Sequence, residues 1–208
     1  MNPSIRKSAL FAATAAILAL FPCAAFAATK VEVDKPKPVD LPSPQFAGVK
    51  GESWAPKDWL KIETRLKVAM IPEPKSKTCD TLTVKWYVAL DNPEKSGTYL
   101  KFTREVQHVN VPLGEDVYVC VFLSPASIRR LTGSDRAGKN SVKFIGVEVV
   151  TEGQTADAAE GKDKWWTMAS KSMSESTVVP LQSKAETPFA AAWWDRYAEE
   201  KPAAAGTR

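Results

Sequence analysis

From Leu60 to Met70 the chain alternates without a break. Leu60, Ile62, Thr64, Leu66, Val68 and Met70 stand between Lys61, Glu63, Arg65, Lys67 and Ala69. A period of two with charge on one phase predicts a strand that buries one face and leaves the other to solvent. Pro72 to Thr78 turns the chain. Leu82, Val84, Trp86, Val88 and Leu90 then alternate with Thr81, Thr83, Lys85 and Tyr87, a second strand with Trp86 in the core phase. Asp91-Asn92-Pro93 and Ser96-Gly97 predict the next turn. A third strand follows from Thr98 to Val106, extending toward Val111. A fourth, Val117 to Leu123, is apolar on both faces, as a central strand requires.

The period then changes. Ser124 caps a short helix with Pro125 at its first position, Ile128 and Leu131 on its apolar edge and Gly133 at its end. After a polar loop from Gly133 to Asn140, Val142 to Val150 reads as another strand. Gly153 to Asp163 is small and polar and predicts a mobile loop. A last strand is expected at Thr177 to Leu181, and Thr187-Pro188 opens a terminal helix. On it Phe189, Ala192, Trp193 and Tyr197 fall on one face and should dock on the domain. The pattern predicts a mainly β fold over residues 59–200: an antiparallel sandwich with a short inserted helix and a C-terminal helix. Residues 201–208 read as a disordered tail.

The N-terminus speaks to location. Arg6 and Lys7 precede an apolar stretch from Ala9 to Phe21, and Ala25-Phe26-Ala27 carries small residues at the cleavage spacing. Residues 1–27 thus read as a secretory signal peptide, too short to be a stable membrane span. Cys23 would allow lipidation, but Phe21-Pro22 fits the lipoprotein peptidase poorly. Export to the periplasm, the outer-membrane surface or the medium is expected. Pro36, Pro38, Pro42, Pro44 and Pro56 make residues 28–58 a proline-rich linker, with Trp54 and Trp59 anchoring its end. No second long apolar run follows, so no transmembrane segment is expected in the mature chain.

Composition narrows the partners. Losing Arg6 and Lys7 lowers the formal charge from +4 to +2, which leaves no electrostatic case for nucleic acid. The chain has one histidine, His108, read as a partly exposed residue at a strand end. With a single histidine, histidine-paired zinc motifs are ruled out. Phosphate-cradling glycine loops, dinucleotide fingerprints and the Gly-x-Ser-x-Gly elbow are missing as well. Glu63, Glu105 and Glu148 sit on solvent phases and read as surface. No catalytic residue, metal site or cofactor is implied. Cys79 and Cys120 remain after cleavage. An oxidising compartment allows them one bridge, and closing about 40 residues would contribute roughly 4 kcal/mol; two buried thiols are the alternative.

Seven tryptophans are the other signal. Trp86 and Trp193 read as structural, whereas Trp165, Trp166 and Trp194 are candidates for a partner or glycan surface. Neighbours on a strand face opposite ways, so one of Trp165 and Trp166 should point outward.

Tyr118-Val119-Cys120, with Cys79 and Trp86 upstream, resembles the tyrosine corner and Cys…Trp…Tyr-x-Cys arrangement of immunoglobulin domains. Cys79 is out of phase with Leu82 to Leu90 unless the strand is irregular near Asp80. With Val84 to Leu90 and Tyr118 to Pro125, the chain resembles a family of small secreted immunoglobulin-like proteins. That family is associated with a type IV pilus gene cluster of intestinal mucin-degrading bacteria. The resemblance covers residues 41–180 and implies pilus or outer-membrane proteins as partners. The expectation is a non-catalytic interaction module at the bacterial outer surface, active in pilus assembly or adhesion. The alternative is a carbohydrate-binding domain that stacks sugars on its tryptophans.

Overall fold

The computed structural model describes residues 28–45, 55–134, 138–151, 154–161 and 164–202. The signal segment and Trp54 lie outside them. β1 (Ala28–Val33) and β2 (Lys37–Pro42) both lie against one edge of β3 (Asp58–Ile71). β1 pairs with residues 66–71 of β3 and β2 with residues 58–63. Residues 28–42 are therefore not the free linker that their prolines suggested. An edge strand can point its missing donors at solvent, so Pro38 and Pro42 are tolerated there.

β4 (Thr78–Asp91) and β5 (Tyr99–Pro112) form the long hairpin that the alternation predicts. Cys79 and Leu82 both reach the core, with Asp80 and Thr81 exposed between them. The inward phase thus shifts near Asp80. Across the ladder Asn110 takes a φ of +52°, a conformation that asparagine tolerates better than most residues. β6 (Asp116–Leu123) pairs with β3. α1 (Pro125–Thr132) follows as expected. Ser124 accepts from the Ser127 N–H at 3.2 Å, and Gly133, at φ +75°, closes the helix onto the Arg129 carbonyl.

β7 (Val142–Thr151) returns along β4, and β8 (Gln154–Glu160) pairs with β7 through all seven of its residues. Within the stretch expected to be a mobile loop, residues 154–160 form an edge strand whose small side chains, Ala156 and Ala158, pack against the core. β9 (Met173–Glu175) and β10 (Gln182–Ser183) end the described strands, displacing the one expected at residues 177–181. Val179 and Leu181 are buried there without a ladder of their own.

The result is two five-stranded sheets that do not close on themselves. The first runs β1-β3-β6-β10 with β2 also on β3; the second runs β8-β7-β4-β5-β9. Pairings within them are antiparallel except that of β9 with β5. One apolar core joins their facing sides: Leu60, Ile62, Val119 and Val121 from the first, Val84, Trp86, Phe102 and Val147 from the second. The arrangement is sandwich-like and mainly β. No helix among the described residues is long and apolar enough to cross a membrane.

The terminal helix does not form. Residues 188–196 run through successive turns, with i to i+3 bonds from Ala190 to Thr187, Ala192 to Phe189 and Arg196 to Trp193. Trp193 sits at φ +50°, which a right-handed helix excludes. A helix this short is marginal alone, and tertiary contacts decide its shape.

Candidate functional site

Those contacts lie on the outer face of the first sheet. Trp59, Lys61 and Glu63 of β3 and Tyr118, Cys120 and Phe122 of β6 point away from the main core, as alternation requires. The C-terminal segment crosses over them as a strap. Phe189 stacks on Phe122 with centroids 5.1 Å apart and meets Trp59 edge-on at 5.8 Å. Trp193 continues the column, its ring 6.4 Å from Phe189 and 11° from parallel.

The strap then ties both sheets. Tyr118 N–H donates to the Arg196 carbonyl at 3.1 Å, and Ala198 N–H donates to the Tyr118 carbonyl at 2.9 Å. On the other side Val109 N–H donates to the Glu199 carbonyl at 2.9 Å, and Lys201 N–H to the Gln107 carbonyl at 2.8 Å. The strap thereby satisfies backbone groups of β6 and β5 at the open edge between the sheets.

Under the strap lies a polar cluster that alternation alone assigned to solvent. Glu63 binds Lys61 at 2.9 Å and Arg196 at 3.0 Å and accepts a short hydrogen bond from the Tyr197 hydroxyl. Burial, then that bond, push the Tyr197 phenol well above its ordinary range. The Arg196 guanidinium lies 3.9 Å from the centre of the Tyr118 ring. Tyr118 thus spends its ring on the strap. His108 is buried too, not partly exposed. Its Nδ1 lies 3.3 Å from the Ala198 carbonyl, its Nε2 has no hydrogen-bond partner among the described residues, and desolvation holds its pKa below the usual histidine value.

Cys79 and Cys120 are both buried, and neither is in a disulfide. Cys79 belongs to the core between the sheets, Cys120 to the aromatic cluster on the outer side of β6. The first sheet separates them, so no bridge can form without refolding. Burial pushes the Cys120 thiol far up, which makes it a poor nucleophile.

The tryptophans divide differently from their sequence reading. Trp165 and Trp166 occupy a one-turn 3-10 segment, not a strand, and both are buried. Trp166 stacks on Tyr87 at 5.3 Å and donates from Nε1 to Glu148 at 3.0 Å. It lies directly over Gly146, where a Cβ would come within 2.1 Å of the ring. These two residues cover the second sheet and are no partner surface. Trp194 is 72% exposed and Trp193 49% exposed. Side by side at the tip of the strap, they form the aromatic surface the structure presents. The helical reading hid Trp193, and its positive φ had no sequence signal.

A family model matches residues 23–204 of the chain. The chain belongs to that family. A crystal structure of a protein from Akkermansia muciniphila is similar to it at 38% identity, with a TM-score of 0.80 over 86% of this chain and 96% of that one. No curated protein matches the sequence. The family match runs through residue 204, so the strap and its tryptophan pair lie inside the matched region.

Proposed function

We propose that this chain is an exported, non-catalytic interaction module of the bacterial outer surface, built as an immunoglobulin-like sandwich and associated with type IV pilus assembly or adhesion. The observation that carries the reading is the Trp193–Trp194 turn. Large aromatic side chains exposed together on a rigid support suit a binding face better than solvent. Trp193 is held at φ +50°, a conformation costly for a bulky residue, and the column through Phe189 to Phe122 fixes it there. The secretory pattern of residues 1–27 and the resemblance to pilus-associated proteins supply the compartment and the partner class.

A photo-crosslinking amino acid at position 194 in the native host tests this, with position 95 in the exposed turn after β4 as the control. Crosslinks to pilus or outer-membrane proteins from position 194 alone are expected. Equal yields at both positions, or a protein that keeps Met1 and stays in the cytoplasm, would overturn the proposal. The exposure of Trp194 also favours the sugar-stacking reading, which now rests on that residue without Trp165 and Trp166. Selective glycan binding lost in Trp194→Ala would establish it.

A further inference from the structure

Each of the two unclosed sheets has two edges, and three of the four are covered or guarded. On the β6 side of the first sheet, β10 pairs with Val121 and Phe122 and the strap bonds Tyr118. On the β5 side of the second, β9 pairs with residues 99–101 and the strap bonds Gln107 and Val109. The edge formed by β1 and β2 carries Pro38 and Pro42, which lack donors, and the exposed Lys30–Glu32 ion pair. The fourth edge is β8. It contains no proline, lysine or glycine, and its seven residues pair with β7 in unbroken register.

Alternation across the second sheet identifies the groups that β8 leaves open. Tyr99 N–H donates to the Ser172 carbonyl and Ser176 N–H to the Lys101 carbonyl, so the odd-numbered residues here face away from β4. Through the registers of β4 and β7, Gln154, Ala156, Ala158 and Glu160 then face β7. Thr155, Asp157 and Ala159 turn their N–H and C=O groups to the outer side, where no described residue bonds them. Ala159 is packed with Trp165 and Trp166, whereas Thr155 and Asp157 are exposed.

We infer that the β8 edge receives a short, basic, extended segment of a partner protein as an added strand. The open groups of Thr155 and Asp157 supply the main-chain bonds for such an addition. Charge selects the occupant. Residues 152–164 hold four acids and two bases, and Asp157 is the charge in the middle of the open stretch. A second copy docked edge to edge would set Asp157 against the same acid across the seam, and like charges facing each other destabilise a strand pair. A lysine or arginine facing Asp157 gains instead. The alternate side chains of the added strand would lie beside Ala156 and Ala158, where small apolar groups continue the inner face. This edge is separate from the Trp193–Trp194 turn, and its failure leaves that reading untouched.

The full chain is titrated with a capped heptapeptide of alternating lysine and valine, and with the same peptide carrying glutamate for lysine. Amide hydrogen exchange read by NMR is the readout. The lysine peptide should slow exchange at Thr155 and Asp157 by about tenfold or more, while Ala156 and Ala158, already bonded to β7, change little. The glutamate peptide should bind about threefold more weakly, and Asp157→Lys should reverse that order. Unchanged exchange at Thr155 and Asp157, or equal or tighter binding of the glutamate peptide, overturns the proposal. Slowing that grows with protein concentration alone assigns the edge to a second copy and overturns the basic segment. Because Asp157→Lys also breaks the ion pair with Lys164, the exchange pattern of the unmodified protein decides the matter if that variant fails to fold.

Discussion

Phe189 lies flat on Phe122, 5.1 Å between centroids and 9° from parallel, although 67 positions separate them in the chain. The stack clamps the strap to the first sheet, and Trp193 rides on its outer side.

Phe189→Ala should therefore cost about 3–5 kcal/mol, since it empties a buried aromatic site. Trp193→Ala, at a half-exposed position, should cost roughly 1 kcal/mol. Urea unfolding of the two variants compares them directly. A larger loss in Trp193→Ala would show that the clamp is wrongly placed.

Glu63→Ala should destabilise by about 3 kcal/mol, because it strands the buried Lys61 and frees Arg196 and the Tyr197 hydroxyl. Hydrogen exchange should rise first at Ala198 and Tyr118, where the strap is tied to β6. Unchanged exchange at those amides would mean that the cluster does not hold the strap.

Lowering the pH should loosen the same region. His108 has a depressed pKa when folded, so below about 6.5 the unfolded chain binds the proton more readily. Stability contributed by the neutral ring is present above that value and is lost as pH falls through the window beneath it. Melting temperatures measured from pH 7.5 to 5 should fall, and His108→Gln should flatten the part due to this residue. Identical slopes in the two proteins would sink the assignment.

Gly146→Ala should cost about 1–3 kcal/mol by driving a methyl group into Trp166. Added to Trp166→Ala, the same change should cost little more than Trp166→Ala alone. Additive losses in a thermal-melt double-mutant cycle would show that the two residues do not meet.

The long strands and α1 were legible because buried faces impose a period and caps impose residue types: Ile62 and Val84 in phase, Ser124 and Gly133 at the ends of the helix. β2 and β8 were not. Pro38 is read as a linker residue until an edge position excuses it, and β8 turns only the small side chains of Ala156 and Ala158 toward the core, too weak an alternation to mark a strand. The candidate surface was legible only in part. Trp194 was marked, but the burial of Trp166 depends on Gly146, a gap in another strand that no local pattern announces, and Trp165 packs in turn on Trp166 and Phe144. Phe189, Ala192, Trp193 and Tyr197 have helical spacing, and consecutive turns satisfied that spacing equally well. Glu63 and His108 looked ordinary because their burial comes from residues 196–200, more than 85 positions away.

The way the strap is fastened also determines how the molecule carries load. Tension applied at Trp194 leaves by two routes, one through Trp193 and Phe189 to Phe122 of β6, the other through the backbone bonds of Arg196 and Ala198 to β6 and of Glu199 and Lys201 to β5. Force entering at the aromatic tip is divided between two sheets from the start. A pull there strains the sandwich as a whole instead of unzipping one strand from its margin.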